Sequence, residues 1–334
     1  MDSSGSFTID PRRALPKLQK FRLPDAYAYV LKWLQAAVRG RASGFELRSG
    51  TGSVRVDMPG LQLPMDRLAH IFVELLQEAR PGQEALHHLA VGLHCCLGIR
   101  AQAIRLFYRD GQRGVKLEWR VDGQSIQEWA AAGPPLCRIE IDRAKADLWK
   151  ELRQKLHGRP ALSMLTGASA GYDNEQLLVH GTGDLAPLEV SINGRPLQVS
   201  SKSFAPFRGL FSGRQLFRRE YCFAADDAPG FQLPAWEQAA TSLGRTPEGR
   251  YRAYLAVLNR HGLNHMMIVR DGVVLRRMQY QSEEDLSFLL VLDGYQLTTD
   301  LTTLQFVEDD RFREFFHKGQ AFARDPGLLT LPRL

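Results

Sequence analysis

The fold is decided by the stretch from Tyr27 to Ile99, which contains three informative runs: Leu34–Gly40 (LQAAVRG), Val54–Gly60 (VRVDMPG) and Leu89–Leu97 (LAVGLHCCL). Apolar residues recur every three or four positions up to the first run and through the third, which predicts amphipathic helices. The second run closes a segment in which apolar and polar residues alternate, which predicts a strand. The stretch is therefore expected to run helix, strand, strand, helix, helix.

The neighbouring segments extend this pattern. Ser49–Gly52 (SGTG) predicts a hairpin turn between two strands, and residues 64–79 and 83–97 predict two further helices. Three more strands are expected, at Ile104–Tyr108, Val115–Val121 and Cys137–Ile141. Helices and antiparallel strands that are segregated in this way predict an α+β fold, a two-layer sandwich over residues 7–142. Its first part would hold a strand at Phe7–Ile9 and a helix from Asp10 to Phe21, after a disordered tail at 1–6.

The second half of the chain predicts a separate domain. A connector helix is expected within 143–160, followed by a strand-rich α+β domain over 161–334. This domain is expected to begin at 161–185 with a helix or turn followed by a mobile, glycine-rich loop. Asn193-Gly194 and Asp271-Gly272 are hairpin turn signals. The predicted elements are, in order, Leu188–Ile192, Leu197–Val199, Leu216–Phe223, Tyr251–Leu258, His265–Val269, Val273–Tyr280, Phe288–Leu292 and a terminal helix over Asp309–Phe322.

Composition narrows the class of protein. The 334 residues carry 43 basic and 37 acidic side chains, a net charge of +6 that is spread evenly along the chain. No dense Lys/Arg run supports a nucleic-acid partner, and no apolar run is long enough to predict a membrane span or a signal peptide. The four cysteines, Cys95, Cys96, Cys137 and Cys222, lack zinc-ligand spacing. They predict free thiols in a reducing cytoplasm.

The order and spacing of the three runs resemble the ATP-binding (Bergerat) fold of the GHKL superfamily, which includes gyrase-type topoisomerases, ninety-kilodalton heat-shock chaperones, histidine kinases and MutL-type repair proteins. The first helix of that family carries a Glu that polarises the attacking water and, four residues on, an Asn that holds magnesium. The resemblance places Lys32 and Ala36 at these positions. A lysine ammonium has no lone pair with which to act as a base, and alanine offers no oxygen to a metal. No catalytic residue and no metal ligand are therefore predicted.

Four residues match the pocket positions of that family. Asp57 corresponds to the Asp that accepts a hydrogen bond from adenine, and Gly60 to a glycine of the loop that follows it. Gly92 corresponds to a glycine of the phosphate-cradling lid hinge, and Cys137 to a Thr near the adenine. The resemblance implies that ATP or ADP, if any cofactor binds, contacts these four residues. Asp57 as a simple turn cap is the alternative.

The resemblance continues into the second half, where Pro187–Arg195 (PLEVSINGR) is similar to the strand and turn that open the middle or transducer domain of chaperones and MutL-type proteins. Lys202 and Arg208 would be candidates for the basic residue that reaches the γ-phosphate in that family. A solvated basic loop is the alternative.

Three functions remain open on the sequence. The first is a degenerate GHKL-like module that binds or scaffolds a protein partner without hydrolysing ATP, with a homodimer as a further possibility. The second is a working, chaperone-like ATPase that uses substitute residues. The third is an electrostatic adaptor for nucleic acid or a membrane surface, which rests only on the charge of +6.

Overall fold

The computed structural model describes residues 25–50, 52–76, 82–97, 99, 101–120, 123–143, 174–197, 253–258, 263–281, 287–300 and 304–323. These residues divide into two compact units. The first holds the described residues up to Leu178 together with Val190–Arg195, and the second holds Val179–Glu189 and the described residues from Pro196 onward. The predictions for residues 1–24, for the connector helix, for Lys202 and Arg208, and for the strand at Leu216–Phe223 lie outside the described residues.

Helices and strands of the first unit follow the predicted order. The helices are α1 (Tyr29–Arg39), α2 (Met65–Leu68), a 3-10 helix (Ile71–Leu76), α3 (Glu84–Leu97) and α4 (Asn174–Thr182), which begins in this unit. The strands are β1 (Gly44–Ser49), β2 (Ser53–Pro59), β3 (Ala101–Arg109), β4 (Arg113–Arg120), β5 (Gly123–Ala130), β6 (Leu136–Arg143), β7 (Glu189–Ile192) and β8 (Arg195–Pro196).

The strands form one eight-stranded sheet in the order β5-β4-β3-β6-β2-β1-β7-β8. Every pairing from β5 to β1 is antiparallel. Chain-adjacent strands β3, β4 and β5 form a meander, whereas β6 inserts between β3 and β2. The predicted α+β class is therefore confirmed, with helices and an antiparallel sheet in one unit.

The two faces of this sheet differ in polarity. Alternate residues of the central strands are buried and apolar, among them Leu47, Val56, Leu106, Leu117 and Ile139. Helices α1 and α3 pack against each other, and they contact β1 and β3 respectively. We call the apolar side the helix face. The intervening residues are polar and partly exposed, and we call their side the charged face. A strand with period-two alternation buries one face in this way.

The structure differs from the sequence prediction in three elements of this unit. The predicted single helix at 64–79 is two short pieces, α2 and the 3-10 helix, separated by Ala69 and His70. Strand β5 was not predicted, because its eight residues are all exposed and carry no buried apolar alternation. Strand β7, predicted to open the second domain, lies beside β1 in the first sheet, where the Asn193 amide donates to the Leu47 carbonyl at 2.8 Å.

The second unit contains a four-stranded sheet in the order β11-β10-β12-β9. Its strands are β9 (Ala253–Leu258), β10 (Leu263–Arg270), β11 (Val273–Gln281) and β12 (Ser287–Asp293), and helix α5 (Asp310–Ala323) follows. The pair β10–β12 is parallel, and the other two pairs are antiparallel. Its core is a cluster of buried residues from the sheet, from the segment after β12 and from α5: Met266, Ile268, Leu290, Leu292, Leu297, Phe312 and Phe315.

Candidate functional site

Helix α1 lies at the centre of the candidate site and is buried almost completely. Ten of its eleven residues are buried, from Tyr29 to Val38. It ends in a Schellman motif, in which the Ala42 amide donates to the Ala37 carbonyl at 2.9 Å and Arg41 adopts a positive φ of 56°. Gly40, the predicted stop, has a φ of −84°. It is required for space, since a Cβ there would lie 2.1 Å from Leu61 Cδ1.

Gly92 of α3 lies against α1. A Cβ at this position would lie 2.4 Å from Nε1 and 2.6 Å from Cδ1 of the Trp33 indole, and 3.2 Å from the Tyr29 carbonyl oxygen. Trp33 is fully buried and meets the Tyr29 ring edge-on at 4.9 Å. Gly92 lies in the middle of α3, rather than at the hinge before a helix. The Trp33 indole therefore occupies the space into which a side chain at Gly92 would project.

Lys32 forms a polar cluster inside the same interface. Its side chain is fully buried. The ammonium Nζ donates to Gln35 Oε1 and lies 3.3 Å from His88 Nδ1. His88 Nδ1 is the ring nitrogen that faces Nζ. The position that the family resemblance gives to a general base is thus held by a cation that is hydrogen-bonded within the protein.

His87, the neighbour of His88, contacts a different group. Its Nδ1 donates to the Glu74 carbonyl at 3.1 Å, since a carbonyl can only accept. Burial lowers the pKa of His87, and the charge of Lys32 adds to that effect. The Glu74 carboxylate accepts hydrogen bonds from Nε and Nη2 of Arg67, at 2.9 and 2.6 Å. The two histidines therefore point to different partners, as their adjacency on a helix predicts.

Asp57 is held by two arginines on the charged face. Its Oδ2 accepts from Arg55 Nε at 2.8 Å, and its Oδ1 accepts from Arg138 Nε at 2.6 Å. Arg55 also approaches Oδ2 through Nη2 at 2.7 Å. Both carboxylate oxygens of Asp57 thus form ion pairs with arginines of the same sheet. These pairs lie on the charged face and not on the helix face.

Gly60 ends β2 in a turn. Its φ of +75° lies in the region that favours glycine. Its amide donates to the Pro135 carbonyl at 2.8 Å, and a Cβ would lie 3.3 Å from the Ser43 amide nitrogen. The Ser43 amide in turn donates to the Pro59 carbonyl at 2.8 Å. Gly60 therefore allows the turn after β2 and links it by a hydrogen bond to the residue that precedes β6.

Cys137 lies on the helix face, opposite in direction to Asp57. It pairs with Met58 of β2, whereas Asp57 pairs with Arg138, and consecutive residues of a strand point to opposite faces. The thiol is fully buried, and burial raises its pKa well above the ordinary value, with a smaller contribution from the Asp57 charge. At neutral pH it is a protonated thiol, which is a weak donor.

The structure does not bring the four predicted pocket residues into one place. Asp57 points to the charged face, Cys137 to the helix face, Gly92 faces Trp33, and Gly60 forms a turn at the end of β2. Their role in nucleotide binding stays a prediction. The interface between α1 and α3 joins Lys32, Gln35 and His88 instead.

Sequence reasoning missed a second buried polar group, formed by Tyr29, Arg143 and Glu175. Glu175 Oε1 accepts from the Tyr29 hydroxyl and from Arg143 Nη2, both at 2.5 Å, and Tyr29 and Glu175 are fully buried. Burial, followed by the Glu175 charge, raises the pKa of Tyr29 well above its usual range. Tyr29 and Glu175 are 146 positions apart, and neither belongs to a motif, so the sequence gives no signal for this contact.

The charged face of the sheet carries a network of ion pairs. Glu118 accepts from Lys116, Arg120 and Arg105 at 3.0, 2.8 and 3.1 Å. Arg105 continues to Asp142 at 2.5 Å. These bonds, that from Lys116 first, lower the pKa of Glu118 to about 2. Together with the ion pairs of Asp57, these contacts pair most of the basic side chains of the charged face with carboxylates.

Neither a metal site nor a membrane-spanning helix is found among the described residues. No group of three or more His, Cys, Asp or Glu side chains in this part of the chain is arranged to hold an ion. None of the described helices has the length and apolar character needed to cross a bilayer.

Comparisons with known proteins find likenesses among solved structures only. No family model and no curated protein matches the sequence. Among solved structures, the ATPase region of topoisomerase II from Saccharomyces cerevisiae is similar over 84% of this chain and 76% of that chain, with 10% sequence identity and a TM-score of 0.46. The function is therefore inferred from the packing of α1, α3 and the sheet.

Proposed function

We propose that the first unit is a degenerate, GHKL-like module that serves as a non-hydrolytic binding or scaffold domain for a protein partner. The element order supports the family resemblance, because α1, the β1–β2 hairpin and α3 occur in the predicted sequence. The interior contacts of α1 and α3 support the loss of hydrolysis.

The observation that carries this proposal is the contact between Trp33 and Gly92. The glycine that the resemblance assigns to a phosphate cradle has an indole nitrogen 2.4 Å from its would-be Cβ. Here the glycine allows two helices of the same chain to pack closely against each other. This packing leaves no space beside the backbone of Gly92 for a phosphate group.

The residues present do not fit magnesium. Ala36 is fully buried and has no side-chain oxygen, and Lys32 presents only donors. Magnesium prefers oxygen ligands, usually carboxylates, and retains several waters. The buried Lys32 and Ala36 side chains offer magnesium no oxygen ligand. No reaction step through a metal–triphosphate complex is therefore assigned.

The partner is proposed to be a protein rather than nucleic acid. On the charged face, the Arg55 and Arg138 side chains pair with Asp57, and three further cations pair with Glu118. Binding to a phosphate backbone would require breaking these pairs, since affinity there comes from cations available to phosphates. The described cysteines Cys95, Cys96 and Cys137 form no disulfide bond, which fits a reducing compartment such as the cytoplasm.

A nucleotide thermal-shift series combined with a phosphate-release assay tests the proposal. The full chain is heated with ATP, ADP or a non-hydrolysable ATP analogue, each with and without magnesium. We expect no shift in melting temperature and no phosphate release above the buffer background. A ligand that binds only the native state raises its melting temperature by mass action. A magnesium-dependent shift with turnover would favour the working ATPase instead.

A further inference from the structure

Strand β5 lies at one end of the eight-stranded sheet, and no strand in the described part of the chain pairs with its outer edge. All eight of its residues, from Gly123 to Ala130, are exposed. It pairs with β4 in unbroken register from Arg113↔Ala130 to Arg120↔Gly123. Natural sheets blunt such edges with lysines, prolines, bulges or short strands. β5 has none of these devices, and Glu128 is its one charged residue.

The opposite edge of the same sheet is protected. It is formed by β8, which consists of only Arg195 and Pro196. A two-residue strand offers little backbone to pair with, and proline lacks the amide donor. The sheet thus has one closed edge and one edge open to strand pairing.

Strand β5 also exposes two large apolar side chains. Ile126 is 45% and Trp129 is 43% exposed. Ile126 pairs with Leu117 and therefore lies on the helix face, whereas Trp129 lies on the other side and covers Gly114, where a Cβ would be 2.3 Å from the indole Cε2. Leaving such residues on an open edge favours an interface.

We propose that β5 pairs antiparallel with β5 of a second copy of this chain, which makes a symmetric homodimer with one continuous sheet. A two-fold axis perpendicular to the sheet keeps the helix faces of both copies on one side. Directly opposed residues then share a face, so one residue of β5 must lie opposite itself.

The sequence of β5 selects the residue on this axis. With Ile126 on the axis, Ile126 meets Ile126, Gln124 meets Glu128, Ser125 meets Gln127 and Gly123 meets Trp129. The single charge of each strand then faces a neutral amide, and the apolar side chains meet on the helix face. With Gln127 on the axis, Ile126 would face Glu128. The first register is therefore complementary in charge and polarity, as favourable cross-strand pairs require.

A strand from an unrelated protein is the alternative occupant, since open edges also accept extended peptides. The second copy is favoured because β5 is complementary to itself over seven residues without a like-charge contact. This inference does not depend on the proposed function, because its test involves no nucleotide.

Analytical ultracentrifugation of the full chain tests the dimer. We expect a species of twice the 37.7 kDa chain mass. Ile126→Lys places two ammonium groups opposite each other on the axis and is expected to yield monomer with an unchanged circular dichroism spectrum. The matched control is Leu97→Lys, which puts the same charge at an apolar residue that is 41% exposed and lies at the end of α3. This control is expected to stay dimeric.

Two results would overturn the proposal. One is a wild-type chain that sediments as monomer up to its highest soluble concentration, which would leave β5 to a foreign strand or to no strand. The other is a dimer that Ile126→Lys leaves intact, which would place the interface elsewhere. A further variant, Ile126→Cys, should form an intermolecular disulfide under mild oxidation, because opposed residues in a β-pair lie within disulfide range. Leu97→Cys should not form one.

Discussion

Gly92 occupies a position in α3 where a hydrogen is the largest substituent that fits. Trp33 and the Tyr29 carbonyl surround the point at which a Cβ would be placed. An alanine is otherwise the better helix former by about 1 kcal/mol. The close packing of α1 against α3 therefore outweighs helix propensity at this residue.

The change Gly92→Ala tests this packing. We expect a net loss of about 1–3 kcal/mol in the free energy of unfolding, because the added methyl group overpacks a fully buried contact. Gly181→Ala is the matched control, since Gly181 also lies in a helix, α4, and a Cβ there has nothing within 4 Å. Urea denaturation should show the control unchanged or slightly more stable. Equal effects of the two changes would contradict the packing role.

Tyr29→Phe tests the buried contact with Glu175. The ring and its packing against Trp33 are retained, while the hydroxyl that donates to Glu175 Oε1 is lost. Removing a hydrogen bond to a charged, buried carboxylate costs about 1.5–3 kcal/mol. Chemical denaturation should show a loss of this size, and an unchanged midpoint would show that the hydroxyl does not stabilise the carboxylate.

At the scale of elements, the charged face depends on pH through Glu118. Its folded pKa of about 2 lies below the ordinary value of 4.5. A carboxyl with a depressed folded pKa stabilises the protein above its unfolded pKa, and that stabilisation is lost as the pH falls through the folded value. The contribution of Glu118 is therefore complete at neutral pH and disappears between about pH 4.5 and 2.

Glu118→Gln measures this contribution. We expect the variant to be less stable than the wild type at pH 7, with the difference shrinking as the pH falls from 4.5 toward 2. Thermal unfolding of both proteins across this range gives the comparison, and other carboxyls titrate in both and cancel in the difference. A constant difference across the range would show that the Lys116, Arg120 and Arg105 contacts do not hold the charge of Glu118.

The elements that sequence reasoning predicts correctly are those with a buried apolar period. Strands β2, β4 and β6 alternate apolar and polar residues, and α1 and α3 repeat apolar residues at helical spacing, so their positions follow from pattern. Strand β5 buries no side chain, so it leaves no such signal. The break at Ala69 and His70 lies in a region where Arg67 and His87 both contact Glu74, and pattern alone does not relate these segments.

The candidate site is less predictable for a similar reason. Lys32 and Ala36 are read from the sequence as residues unsuited to hydrolysis, and the structure adds that both are fully buried. The direction of Asp57 depends on the pairing of β2 with β6, which places Arg138 beside it. The contact of Trp33 with Gly92 depends on how two helices cross. Neither fact is contained in local spacing.

For the whole molecule, we propose that the order of elements that resembles a nucleotide-binding fold is retained, while α1 and α3 pack against each other where a ligand would lie. Trp33, Lys32 and Gly92 form protein contacts at the positions where the family resemblance expects a ligand. On this proposal the first unit acts through its surfaces, and strand β5 is the surface proposed to bind a second copy of the chain.

Isothermal titration calorimetry of ATP with magnesium into the full chain decides whether the first unit still binds nucleotide. We expect heats no larger than those of dilution, with and without the metal. A saturable, stoichiometric signal at sub-millimolar affinity, accompanied by magnesium-dependent hydrolysis that is lost in Asp57→Ala, would contradict it.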